Sequence, residues 1–214
     1  LLSNIFALNR NFGKAKEILI RADEIKPNNL SVLNNLGTAC KELGEIKKAV
    51  SFYEKVIQFN PNHTNAQFNL GVAFYNLKEL KKAKNFFKKT IEIQPNYAQA
   101  FVNLANIHAE LKEYENALSN YQKAIEVNPK IVSAHNNLGL VFRELNDYKK
   151  AINCYEKAIE IQPNFTDAYN NIGLLFRKSG EFQKAKNYFE KTIQINPNDI
   201  IAYNNLGNTF KELR

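Results

Sequence analysis

The chain has 214 residues, 44% of them hydrophobic, with a formal charge of +8, eight glycines, six prolines and two cysteines. That is enough apolar chain for a large core, and too little glycine and proline for a disordered or collagen-like polymer. Cys40 and Cys154 stand far apart with no His or Cys at metal-ligand spacing, which predicts reduced core thiols, and charges or amides interrupt every helix-length window before it reaches the roughly 18 apolar residues of a membrane span.

The opening Leu1-Leu2-Ser3 runs into a helical apolar pattern rather than a signal peptide, so the chain reads as a fragment of something longer, with residues 1–29 the last part of a repeat. Pro27 is the first of six prolines, followed by Pro61, Pro95, Pro129, Pro163 and Pro197, each 34 residues after the last. On that period five full repeats occupy 30–63, 64–97, 98–131, 132–165 and 166–199, and 200–214 is a final half repeat. With the proline as position 32, apolar residues at positions 4, 7, 8 and 11 predict one amphipathic helix, and those at 17, 20, 24, 27 and 28 predict a second. Gly44-Glu45, Asn146-Asp147 and Gly180-Glu181 mark turns between them. Pro-Asn ends the second helix, and the Asn or Thr that follows is expected to cap the next first helix.

The registers carry the packing. Position 8 is Gly37, Gly71, Ala105, Gly139, Gly173 and Gly207, although glycine in mid-helix costs about 1 kcal/mol relative to alanine. Position 20 is always alanine, and position 24 is Leu19, Tyr53, Phe87, Tyr121, Tyr155 and Phe189. Small residues on one helix are therefore expected to receive large ones from the next. The pattern resembles the tetratricopeptide family: a large residue at 4, Leu-Gly at 7 and 8, an aromatic at 11, Ala at 20, an aromatic at 24, Ala at 27 and Pro at 32. Departures are local: Leu33 and Gln67 at position 4, Cys40 and His108 at 11, and Val56, Thr90 and Thr192 at 27. The resemblance implies an all-α fold over 1–214, a right-handed tetratricopeptide superhelix of antiparallel helix pairs whose concave wall is lined by first helices.

Family geometry places position 6 on that wall, and all six available sites hold asparagine: Asn35, Asn69, Asn103, Asn137, Asn171 and Asn205. Asparagine makes up 32 of the 214 residues, so abundance alone does not fill one register six times out of six. An amide donates and accepts, so a row of them suits the backbone of an extended peptide, while the competing reading has each amide hydrogen-bonding a neighbouring helix. The row is similar to the asparagine ladder in the repeat domains of O-linked N-acetylglucosamine transferases. Phe68, Val72, Tyr75 and Val102 are candidate apolar anchors on the groove. Arg143, Arg177 and Lys211 at position 12 are expected to line its later part with positive charge, although Glu144 and Glu212 stand beside two of them.

Positive charge peaks in 64–97, where Lys78, Lys81, Lys82, Lys84, Lys88 and Lys89 fall on the turn and the convex second helix, a solvated face rather than a nucleic-acid or membrane surface. No phosphate loop, metal-binding His pair or nucleophile elbow occurs, and His63, His108 and His135 fall at unrelated repeat positions, with packing roles expected for the last two. The Lys at position 5 and Arg at position 6 of chaperone carboxylate clamps are missing. The expected function is a protein-interaction scaffold for an extended peptide or partner protein, in the cytoplasm, without catalysis, cofactor, metal or small-molecule substrate. The alternative is the substrate-presenting arm of a larger enzyme such as a glycosyltransferase.

Overall fold

The computed structural model describes residues 11–213, so the helical reading of Leu1 to Arg10 and the terminal Arg214 lie outside the described residues. The described residues form twelve helices and no strand: α1 (Phe12–Ile25), α2 (Leu30–Glu42), α3 (Ile46–Phe59), α4 (Thr64–Asn76), α5 (Leu80–Ile93), α6 (Ala98–Glu110), α7 (Tyr114–Val127), α8 (Val132–Glu144), α9 (Tyr148–Ile161), α10 (Thr166–Lys178), α11 (Phe182–Ile195) and α12 (Ile200–Glu212). First helices have 13 residues and second helices 14, as the two apolar periodicities require. The chain divides into two compact units between Ile107 and His108. In the first, α2 packs on α3 and α4 on α5; in the second, α8 packs on α9 and α10 on α11, with α12 against α11.

Each second helix stops one residue short of an X-Pro step. Asn60, Gln94, Asn128, Gln162 and Asn196 all leave helical geometry, with φ between −129° and −141°, because the following proline ring disfavours it there. The expected first-helix caps need correction. Asn29 does cap α2, accepting from Ser31 and Val32 N–H, but Thr64 and Thr166 are already the first helical residues. The cap falls one residue earlier, where the backbone is still extended: His63 Nδ1 accepts from Ala66 N–H, and Asp199 accepts from Ala202 N–H.

Small-into-large packing is as the registers predict. A Cβ placed on Gly37, Gly71, Gly139 or Gly173 would lie 2.4, 2.6, 2.5 or 2.6 Å from the ring of Tyr53, Phe87, Tyr155 or Phe189. Those four rings are fully buried, as are Ala49, Ala83, Ala151 and Ala185 at position 20. The departures are accommodated locally. Thr90 and Thr192 return their hydroxyls to the carbonyls of Phe86 and Tyr188, four residues back. At position 4, Gln67 Nε2, His135 Nε2 and Tyr169 Oη each reach the carbonyl of the proline six residues earlier, at 2.7, 2.9 and 3.1 Å. His108 is buried, with Nδ1 hydrogen-bonded to the Glu113 carboxylate. All three histidines therefore have structural partners.

One ring carries a polar fault. Tyr53 donates its hydroxyl to Thr38 at 3.2 Å, but Tyr155 faces Leu140 at the same register, and its buried hydroxyl has no partner. Tyr155→Phe is therefore expected to raise the melting temperature, since it removes an unsatisfied buried group worth about 1–3 kcal/mol. Tyr53→Phe should lower it slightly; paired thermal melts check both.

Candidate functional site

The six position-6 asparagines are all half-buried on first helices. Two of them bridge repeats: Asn69 Nδ2 donates to Asn34 Oδ1 at 3.2 Å in the first unit, and Asn171 Nδ2 donates to Asn136 Oδ1 at 3.0 Å in the second. Asn136 in turn donates to Asn137 Oδ1 at 3.1 Å. In both bridges a position-6 amide reaches the position-5 amide one repeat earlier. Asn103 has Phe68 at that earlier position, which carries no side-chain oxygen. Asn170 turns its Nδ2 toward Asp199 at 3.4 Å, leaving its buried Oδ1 without a partner. A bridging amide still holds a second N–H and its own carbonyl, so bridging orients the row without exhausting it.

Position 5 is a groove position in the sequence reading, represented there by Phe68 and Val102; the accepting role of its asparagines is what the structure adds. The signal was present in the doubled asparagines Asn34-Asn35, Asn136-Asn137, Asn170-Asn171 and Asn204-Asn205.

The apolar candidates are drawn into the core. Val102 is 2% exposed and presents no surface, a correction to its expected place on the groove. The Phe68 ring lies 4.9 Å from that of Tyr97 and 5.7 Å from that of Phe87, and Val72 and Tyr75 are half-buried against the same cluster. Phe68 and Val72, at positions 5 and 9, and Tyr75 at position 12 therefore pack against the core of the first unit.

The position-12 cations come together. Arg143 on α8, Arg177 on α10 and Lys211 on α12 line one cavity of about 830 Å³ in the second unit. Leu174 and Asn208 from position 9, and Glu144, Lys178 and Glu212 from position 13, complete much of the wall, with Phe182 at the start of α11. Arg143 is held by its neighbour Glu144 at 3.0 Å, whereas Arg177 Nη1 is buried without a hydrogen-bond partner. Lys178 and Asn208 were not singled out from the sequence; their repeat positions, 13 and 9, were the available signal.

Elsewhere the charge is solvated. Lys81, Lys82, Lys88 and Lys89 are exposed on α5, with Lys82 on Glu79 at 2.6 Å and Lys89 on Glu92 at 3.1 Å. Burial pushes the Cys154 thiol up to about 11 and raises that of Cys40, so neither is an activated thiolate. Among the described residues no helix is long and apolar enough to cross a membrane, and no three metal-ligating side chains cluster.

Tetratricopeptide-repeat family models match residues 96–164 and 166–199, and a model of anaphase-promoting complex, cyclosome, subunit 3 matches 42–124. The chain carries tetratricopeptide repeats, folded as an all-helical repeat protein. The solved structures it is similar to include MamA, at 29% identity over 75% of this chain and 94% of that one, with a TM-score of 0.68. YrrB, described as a TPR protein with an unusual peptide-binding site, is 22% identical over 88% of this chain and 97% of that one, with a TM-score of 0.66. A chain of the APC/C hetero-tetramer Cut9-Hcn1 shares the fold at 16% identity, covering 97% of this chain and 41% of that one, with a TM-score of 0.83. No curated protein matches the chain.

Proposed function

We propose that this protein is an interaction scaffold whose first helices bind an extended polypeptide. The observation that carries the reading is the row of half-buried asparagines, one per repeat, on first helices. Two are already oriented by bridges to the preceding repeat, so less side-chain freedom is lost when a ligand backbone is gripped. The register is similar to the asparagine ladder of O-linked N-acetylglucosamine transferase repeats, and a solved structure of the same fold is described as having a peptide-binding site. The cation-lined cavity adds side-chain selectivity on the same helices.

The test is selection of peptides from a random unstructured library against the chain, followed by hydrogen exchange on the complex. Protection on first helices and around the asparagines is the expected result. Changing Lys81, Lys82, Lys88 and Lys89 together to Gln should leave affinity unchanged at physiological salt, because exposed lysines on the second-helix face contribute little. Loss of binding in that variant, with protection on α5, would replace this reading with an electrostatic partner on the second-helix face.

A further inference from the structure

We propose that the cavity among α8, α10 and α12 is a receptor for carboxylate side chains, so that the polypeptide bound by the second unit is acidic. This rests on the extended-polypeptide reading and names the chemistry of its ligand. Three cations separated by 34 residues in sequence, Arg143, Arg177 and Lys211, share one cavity of about 830 Å³, room for several peptide residues rather than a single ion. With Lys178 the wall holds four cations against the two carboxylates of Glu144 and Glu212, a local excess of positive charge.

The excess is also poorly satisfied. Arg143 is paired to Glu144, whereas Arg177 makes no ion pair among the described residues and its Nη1 is buried with no hydrogen-bond partner, so a carboxylate that reaches this guanidinium from the cavity displaces no competing anion. Guanidinium presents a planar fork that matches a carboxylate bidentately, and Asn208 supplies a neutral amide for the adjoining backbone. Glu144 and Glu212 favour singly charged carboxylates spaced along a peptide over a dianionic phosphate or a nucleic-acid backbone, which would set its charges against theirs.

The experiment is fluorescence anisotropy on the full chain with a labelled ten-residue peptide of alternating Glu and Ser. Its Gln-Ser counterpart, the same peptide with phosphoserine in place of Glu, and a ten-nucleotide oligo-thymidylate are the other probes. The acidic peptide should bind at least about tenfold more tightly than the Gln peptide, and the difference should shrink as salt rises. Changing Arg143, Arg177 and Lys211 together to Gln should abolish the preference, and Arg177→Lys alone should retain only part of it, with circular dichroism confirming unchanged helicity. Equal binding of the Glu and Gln peptides, no binding of either, tighter binding of phosphopeptide or oligonucleotide, or a preference that survives the triple substitution would each overturn the inference. Library-selected neutral peptides that bind through the asparagines would leave the broader reading standing while this one falls.

Discussion

Phe87→Ala is expected to destabilise the first unit by about 3–5 kcal/mol, measured as a loss of unfolding free energy in denaturant. The ring is fully buried among Leu70, Phe74 and Ala83, with Phe68 5.7 Å away, so its removal leaves a hole that short helices pinned by neighbours close poorly. The stronger test couples it to Gly71. In the native background Gly71→Ala drives a methyl to 2.6 Å from the Phe87 ring and should cost about 1–3 kcal/mol by overpacking. With Phe87 already alanine the clash is gone, and the same change should become stabilising by up to about 1 kcal/mol through helix propensity. That reversal of sign is the signature of direct contact in a double-mutant cycle. Gly207 is the built-in control: a Cβ there meets nothing within 4 Å, so Gly207→Ala should stabilise at once. If Gly71→Ala cost as much without the ring as with it, the glycine would be serving something other than that contact.

Replacing Asn137, Asn171 and Asn205 together by Ala should weaken binding of a library-selected peptide to the second unit by roughly a hundredfold, about 1 kcal/mol per lost hydrogen-bonding site. The bridges alter what stability should do. Asn171→Ala strips the donor from Asn136, itself 6% exposed, so a stability loss of about 1–3 kcal/mol accompanies its binding effect. Asn170 donates to Asp199 and its Oδ1 has no partner, so Asn205 makes no bridge to it, and Asn205→Ala should reduce affinity without lowering the melting temperature. An unchanged affinity for Asn205→Ala, with binding loss in Asn171→Ala matching only the unfolded fraction, would make the row structural.

Most of the fold was legible because repetition multiplies weak signals. One glycine in a helix says little, but Gly37, Gly71, Gly139 and Gly173 at one register, with an aromatic sixteen residues after each, amount to a statement of contact that the geometry bears out. The caps were read one residue late, because composition shows that Thr64 and Thr166 are capping types but not where the backbone turns helical. The site was half legible. Arg143, Arg177 and Lys211 were found by register, and their convergence in one cavity follows from stacking at a fixed period. The competing reading of the asparagines, an amide bonded to a neighbouring helix, holds for Asn69 and Asn171; the partner at position 5 was not legible, because it depends on which atoms of adjacent helices come within about 3 Å, and a helical wheel carries no such offset. Val102 was misplaced for the same reason: a position assigned to the groove by geometry is surface only if its neighbours leave it uncovered.

The four glycine-ring seams are chemically interchangeable, since each pairs a bare backbone with a ring sixteen residues on. Length in this protein is therefore quantised. An excision or tandem duplication of 34 residues rejoins like seam to like seam and returns each position-24 ring to a glycine or alanine at position 8. One residue more or fewer rotates all that follows by about 100° about the helix axis, turning rings toward water and amides toward the core. Such a chain tolerates gain or loss of whole repeats far better than single-residue insertions within a helix, and each added repeat brings one more position-6 side chain to the row.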